Sequence, residues 1–269
     1  MSDSDDQVQR LLESSALREP LLRSVVQALR LPAGSRGLDA GCGVGLQSVL
    51  LAEAIGAEGR VTGLDLSPAC LRYAQQHVNS LGLAERISFQ TGDVRALPFD
   101  DHAFDWAWSA DCVGYPAEGL SPAVRDLVRV TKPGGSVALL GWSSQQLLPG
   151  YPLLEARLNA ACSSYAPYFE GTSPQAFFAR GLGWCRDAGL VRVTARTFLG
   201  EVQAPLSSEV RRALVSLFEM LWVQAPGISP QDRAAYQRLC RPDSADFILD
   251  LPDYYGFFTY TLFLGRLPG

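Results

Sequence analysis

The sequence predicts a doubly wound α/β fold built on a mostly parallel sheet, and three observations carry that prediction. Short apolar runs of strand character alternate with segments whose apolar residues recur at helical spacing. Glycines and Ser-Pro pairs punctuate most of the switches between the two. The first strand runs straight into Gly41-Cys42-Gly43-Val44-Gly45, where glycine at every second position lets the backbone turn sharply and approach a ligand with no Cβ in the way.

Taken in order, residues 7 to 30 hold two helical patterns, Val8, Leu11, Leu12 and then Leu21, Leu22, Val25, Val26, Leu29. Pro20 is expected to split them, and the acidic start before them is expected to be disordered. Leu31 to Arg36 reads as a linker into a strand ending at Leu38-Asp39-Ala40. A helix begins near Leu46, with Val49, Leu50 and Ile55 on the same side, and Arg60 to Leu64 is the second strand. Ser67-Pro68 is an N-cap with proline at the first helical position; Leu71, Ala74, Val78 and Leu81 form that helix's buried side and Gly82 ends it. Ile87 to Gln90 and Phe104 to Ser109 are the third and fourth strands, Ser121-Pro122 caps a helix to Val130, and Val137 to Leu140 is the fifth strand.

Beyond residue 145 the alternation breaks into a stretch rich in aromatic residues, with Tyr151, Tyr165, Tyr168, Phe169, Phe177 and Phe178, expected as short helices and loops. It resumes with a helix over Trp184 to Leu190 and a strand over Val191 to Phe198. A second insertion carries a helix from Ser207 and another capped by Ser229-Pro230; Phe257 to Leu264 is the last strand. The Ser207 helix has two apolar stripes, one through Leu214, Leu217 and Leu221 and one through Val215, Phe218 and Trp222. A helix packed only on a sheet needs one, so the second stripe is expected to line a substrate pocket or to meet neighbouring cap helices. The organisation expected is a helical cap (1–30), an α/β core (31–145), an aromatic insertion (146–183), a return to the core (184–200), a second helical cap (201–255) and a closing strand (256–269).

The first N–H groups of the helix after the glycine turn have no carbonyl partner within it and point back at the turn, making an anion pocket. Asp65 stands at the carboxyl end of the second strand, where an acid accepts two hydrogen bonds from a ribose diol. A nucleoside-containing cofactor fits both. The dinucleotide fingerprint needs its third glycine where this chain has Leu46, which argues against NAD. The turn instead resembles motif I of the class I S-adenosylmethionine-dependent methyltransferases, and three further blocks match that family in order: Thr91-Gly92-Asp93-Val94 with Ala96-Leu97-Pro98-Phe99, Phe104 to Ser109, and Leu127 to Gly135. The flavour is that of the small-molecule enzymes akin to the ubiquinone and menaquinone methyltransferases.

The resemblance implies a Rossmann-like sheet of seven strands, the last antiparallel and slotted between the fifth and sixth, with S-adenosyl-L-methionine as cofactor. It implies that Gly41, Cys42 and Gly43 hold the methionine part, that Asp65 takes the ribose with Leu66 also binding the cofactor, and that Asp93 takes the adenine amino group while Val94 packs on the ring. Asp39 would anchor the turn or reach the amino group through water, and Ser109 ends the fourth strand beside the cofactor. Asp111 and Tyr115 lie where family members place residues beside the transferring methyl, though Asp111 also reads as a helix cap. Transfer of an activated methyl is an in-line displacement, so the protein's main duties are positioning and exclusion of water, with a base needed only for some acceptors.

Other bases are sparse. His77 reads as lying on the outer side of its helix, His102 as a loop residue, and Tyr254, Tyr255 and Glu170 as weaker candidates. The Asn- or Asp-Pro-Pro-aromatic signature of amino-methylating enzymes and the Pro-Cys of cytosine C5 enzymes are absent, and no His and carboxylate spacing suggests a metal. A net charge of −5 and a pI near 5.1 speak against a nucleic-acid substrate. The six cysteines form no Cys-x-x-Cys pair and are expected as reduced thiols. No apolar run reaches the ~18 residues of a membrane span and the start is acidic, so the cytoplasm is the expected compartment. The expected partner is a small, partly apolar methyl acceptor, with oligomeric state left open. Two alternatives stand beside this reading: a nicotinamide-dependent oxidoreductase, and a relative that binds S-adenosylmethionine but performs a non-methylating cyclisation or only binds.

Overall fold

The computed structural model describes residues 3–112, 120–161, 177–223 and 227–269, the side chains of 3–6, 120 and 121 excepted. Its centre is one seven-stranded sheet of β1 (Arg36–Ala40), β2 (Arg60–Asp65), β3 (Ile87–Thr91), β4 (Phe104–Ala110), β5 (Thr131–Gln146), β6 (Val191–Gln203) and β7 (Tyr255–Arg266). The strand order is β3-β2-β1-β4-β5-β7-β6. β1 to β5 pair in parallel, whereas β7 runs antiparallel to both β5 and β6. The order reverses between β1 and β4, and in such sheets the crevice beyond the carboxyl ends at the reversal is where ligands bind. Here that crevice lies past Ala40 and Ala110.

The helices are α1 (Asp3–Glu13), α2 (Ser15–Leu29), α3 (Leu46–Ala54), α4 (Pro68–Ser80), α5 (Leu120–Val130), α6 (Pro152–Ala160), α7 (Gly181–Asp187), α8 (Ser208–Phe218), which continues as a π turn to Val223, and α9 (Pro230–Cys240). One apolar cluster joins α2, α3 and the cap helices to one face of the sheet, and a second joins α5, α7 and Phe178 to the other. Ser67, Ser207 and Ser229 cap α4, α8 and α9, each hydroxyl accepting from the amide three residues on.

Two local expectations are corrected. The break among the first helices falls at Ser14, not at Pro20, and the acidic start is helical from Asp3. A proline in a helix interior costs about 3 kcal/mol. Against that, α2 buries Leu17, Leu21, Leu22, Val25, Val26 and Leu29, each contributing roughly 1.5–3 kcal/mol, and the burial wins. Ser14 and Ser15 turn their hydroxyls onto the carbonyls of Leu11 and Leu12 at 3.0 and 2.7 Å, which favours the break there. Secondly, α5 begins at Leu120, so Ser121 and Pro122 lie inside its first turn rather than at its cap. Phe178 lies in a short 3₁₀ helix, Phe178–Arg180, as expected of that stretch, and its ring packs over Gly141 and edge-on to Phe263 at 5.1 Å.

The second stripe of α8 meets other cap helices. Trp222 is fully buried, stacks on Phe218 at 5.3 Å, meets Tyr236 of α9 edge-on, and donates its indole N–H to Asn159 of α6 at 2.9 Å. The first insertion is pinned by Glu155, whose buried carboxylate accepts from the amides of Leu147 and Leu148 at 2.9 Å. Tyr165, Tyr168, Phe169 and Glu170 lie outside the described residues.

Candidate functional site

Around the crevice the backbone is bent by three left-handed glycines, Gly41 at φ 82°, Gly43 at 53° and Gly45 at 77°. The amides of Gly41 and Cys42 donate to the Leu64 carbonyl at 2.7 and 3.0 Å, tying the turn to the end of β2. Asp65 completes the tie: its Oδ2 accepts from the Gly43 amide and its Oδ1 from the Ser67 amide, both at 2.8 Å. An ionised carboxylate offers about four lone-pair sites, of which these two bonds occupy two among the described residues. At Gly41 the Cβ of any other residue would stand 2.4 Å from Cys112 Sγ and 2.5 Å from its Cβ, so the chain after β4 is pressed against this glycine.

Asp39 does not line the crevice. It is 2% exposed and accepts from the Ser48 hydroxyl at 2.6 Å, joining β1 to α3 beneath the turn. Burial raises its pKa to about 7, with the nearby Asp65 charge adding to the rise and the Ser48 bond opposing it. Burial also pushes the thiols of Cys42 and Cys112 up, the latter to about 12, so neither is a thiolate near neutral pH. The five described cysteines are free, and Cys162 lies outside the described residues.

Two cavities open here. The first, of about 630 Å³, is lined by Gly41 to Val44, Asp65, Ala110, Asp111, Cys112 and faces of α1 to α4. That lies within the range of ordinary cofactor sites. The second, of about 340 Å³, lies among α1, α2, β5, β7 and the α8 segment, through Leu17, Trp142, Leu217, Met220, Leu221 and Tyr260. Gln7, Leu11, Arg18 and Asp111 line both and so stand between them. The pocket-facing side of α8 is therefore that of Leu217 and Leu221, in its first apolar stripe.

Asp111 sits at φ 50°, its amide bonded to Leu140 O at 2.9 Å. Its Oδ2 accepts from the Tyr260 hydroxyl at 2.7 Å and from Arg18 Nη1 at 3.3 Å; Oδ1 accepts from the Trp142 amide at 3.1 Å. Burial, then the Asp111 charge, push the Tyr260 phenol well above its ordinary pKa and keep it a donor. Among the described residues three groups occupy its lone-pair sites, so Asp111 anchors Tyr260, Arg18 and the Trp142 amide.

Of the other sequence-derived candidates, Gly41, Cys42, Gly43, Asp65 and Asp111 come together around the first cavity, but Leu66, Asp93, Val94 and Ser109 do not line it. Leu66 is 62% exposed. Asp93 is held by Arg95, whose Nη2 and Nε approach it at 2.7 and 3.1 Å and whose amide adds a bond at 2.9 Å; these bonds lower its pKa. Val94 packs against the core on the α5 side, and the buried Ser109 hydroxyl donates to Ala40 O at 2.8 Å, stitching β4 to β1. Tyr115 lies outside the described residues. His77 is corrected: it is half-buried and lines the first cavity. His102 Nδ1 lies 2.9 Å from Thr131 O; the buried Tyr254 donates to Leu147 O at 3.0 Å, and Tyr255 to Glu201 at 3.3 Å, all outside both cavities. Arg18, Trp142 and Tyr260 were missed in the sequence. The available signal was Tyr260 itself, a polar tip in the inward-facing register of Phe258 and Leu262 on β7.

Among the described residues no His, Cys, Asp and Glu cluster could hold a metal, and no helix is long and apolar enough to cross a membrane. A methyltransferase domain family matches residues 38–135. The chain is 38% identical over 127 residues to the demethylmenaquinone methyltransferase of Staphylococcus epidermidis, covering 47% of this chain and 51% of that protein. It is 32% identical over 162 residues to the chloroplastic tocopherol O-methyltransferase of Arabidopsis thaliana, covering 57% and 45%. The chain thus spans about half the length of these relatives. Among solved structures, the [4+2]-cyclase SpnF shares the fold, with a TM-score of 0.54 at 24% identity over 92% of this chain and 80% of that one.

Proposed function

We propose that the chain, which matches a methyltransferase domain family over residues 38–135, is a class I S-adenosylmethionine-dependent methyltransferase that transfers a methyl group to a small, partly apolar acceptor in small-molecule biosynthesis, in the cytoplasm. When bound, S-adenosyl-L-methionine supplies a sulfonium methyl that is already activated. The observation that carries the reading is the crevice at the strand-order reversal, with the Gly41–Gly45 turn on one wall, Asp65 on another and Asp111 at the border with an apolar second cavity. The turn and the first amides of α3 would hold the methionine carboxylate, and Asp65 the ribose through its carboxylate oxygens. Asp39 would set the geometry of the turn from below through Ser48. An adenine at Asp93 would compete with Arg95 for the same carboxylate. The residues between the two cavities would align acceptor and methyl and keep water out.

Thermal melts with S-adenosylmethionine, S-adenosylhomocysteine and NADH test this. A ligand at 100 times its Kd adds about 2.7 kcal/mol to stability. The two adenosyl ligands are expected to raise the melting temperature and NADH to leave it unchanged; the opposite pattern would favour the oxidoreductase. Asp65→Ala is expected to weaken S-adenosylhomocysteine about tenfold by isothermal titration, since hydrogen bonds to a charged group contribute roughly 1.5–3 kcal/mol. An unaltered Kd would remove Asp65 from the ribose site.

A further inference from the structure

The second cavity is apolar in bulk, but its polar atoms are strongly unequal. Arg18 donates Nη2 to Ser14 Oγ at 2.7 Å and Nη1 to Asp111 at 3.3 Å, and its Nε is buried with no partner. The indole N–H of Trp142, a side chain 7% exposed, is likewise buried with no partner. Buried polar groups in folded proteins are almost always bonded, so each orphan calls for an explanation. Both of these line one cavity, and both are donors. Among the described residues of its lining the one carboxylate is Asp111, which already accepts from three groups, and the phenol of Tyr260 is one of them. Arg10, exposed on α1, adds a second cation to the lining.

We propose that this cavity selects an acceptor with an apolar body and one anionic group, a carboxylate or a phenolate, which Arg18 and the Trp142 indole receive. The proposal rests on the methyltransferase reading and deepens it by giving the acceptor a charge. Anionic oxygens of such an acceptor would supply the acceptor that Nε and Nε1 each lack, beside a guanidinium whose other side is held by Asp111 at 3.3 Å. Asp111 is then a positioning residue: with Ser14 it fixes the guanidinium plane at the border of the cofactor cavity. The apolar body would lie against Leu17, Leu217, Met220 and Leu221.

The test uses 2-naphthoate, its neutral isostere 2-acetonaphthone and the cation 2-naphthylmethylammonium, titrated into the whole protein with and without saturating S-adenosylhomocysteine. Naphthoate is expected to bind at least tenfold tighter than the ketone, and the cation least. Arg18→Gln is expected to shrink the naphthoate preference below threefold; Trp142→Phe, which keeps an aromatic ring but loses the pyrrole part with its donor, is expected to weaken naphthoate at least threefold more than it weakens the ketone. Equal binding of the three probes, no binding of any of them, or a preference that survives Arg18→Gln overturns the proposal. Failure of S-adenosylhomocysteine to bind the wild type counts instead against the methyltransferase reading, because the probe titrations without it read the cavity alone. A melt of each variant shows whether it is folded, and Trp142→Phe decides if Arg18→Gln is not.

Discussion

Gly41→Ala is expected to lower stability by about 2–4 kcal/mol and to weaken S-adenosylhomocysteine a hundredfold or more. Two effects add. The backbone at Gly41 has φ 82°, a left-handed conformation that costs a residue with a Cβ on the order of 1 kcal/mol. The added Cβ would also stand 2.4 Å from Cys112 Sγ and 2.5 Å from Cys112 Cβ. Rotation of the Cys112 side chain can move the sulfur but not its Cβ, so the backbone must shift, at roughly 1–3 kcal/mol for an overpacked site. That segment holds Asp111, and through it Arg18 and Tyr260, so strain at the cofactor turn reaches the second cavity. Denaturant melts and calorimetric titration read both effects. Adding Cys112→Gly removes the clashing atoms and is expected to restore at least ~1 kcal/mol, a coupling that independent sites would not show. If Gly41→Ala bound S-adenosylhomocysteine like the wild type, the turn would not be the cofactor's seat.

The parts of the fold that were legible are those fixed by local chemistry. Strand runs and serine caps sit within a few residues of each other in sequence, and the glycine turn announces itself because only glycine tolerates three left-handed positions in five residues. The order of the strands and the antiparallel β7 came from the resemblance, since residue patterns do not say which strands are neighbours. Where tertiary burial overrode local preference, the reading failed: Pro20 signalled a break that six buried apolar side chains of α2 overrule. The orientation of α8 was ambiguous because both stripes are apolar, and only packing against Asn159 and Tyr236 decides between them.

The candidate site divides along the same line. Gly41, Gly43 and Asp65 are placed by the turn and by strand ends, so short-range spacing locates them. Asp93 matched a family block, but a guanidinium two residues away occupies its carboxylate, and spacing does not show which partner wins. The Arg18, Asp111 and Tyr260 cluster joins residues 93 and 149 positions apart along the chain. It exists because β7 inserts beside β5 and sets Tyr260 opposite Trp142, a register no local signal encodes.

Stability of the wild type is expected to fall as pH rises from about 4 to 7, relative to Asp39→Asn, by up to about 4 kcal/mol. The folded pKa of Asp39 is raised to about 7, against an unfolded value near 3.9. The folded state therefore binds this proton more tightly than the unfolded chain does. Its contribution is fully present below the unfolded pKa and is lost progressively as pH climbs through the folded one. The gap between the two values, at about 1.36 kcal/mol for each pH unit, sets the upper bound. Asn keeps an oxygen for the Ser48 hydroxyl and cannot ionise, so the variant lacks this slope and is the more stable protein at pH 8. Urea melts of both proteins at pH 5, 6.5 and 8 measure the difference; parallel profiles would mean that Asp39 is ionised throughout. Asp39 also lies beneath the turn proposed to hold the methionine end of the cofactor. A cationic amine bound above it would favour the charged carboxylate, so cofactor binding near pH 6.5 should release a proton from the wild type and not from Asp39→Asn. Titration calorimetry in two buffers of different ionisation enthalpy reads that proton, and its absence in the wild type would leave Asp39 an anchor of the turn with no electrostatic part in binding.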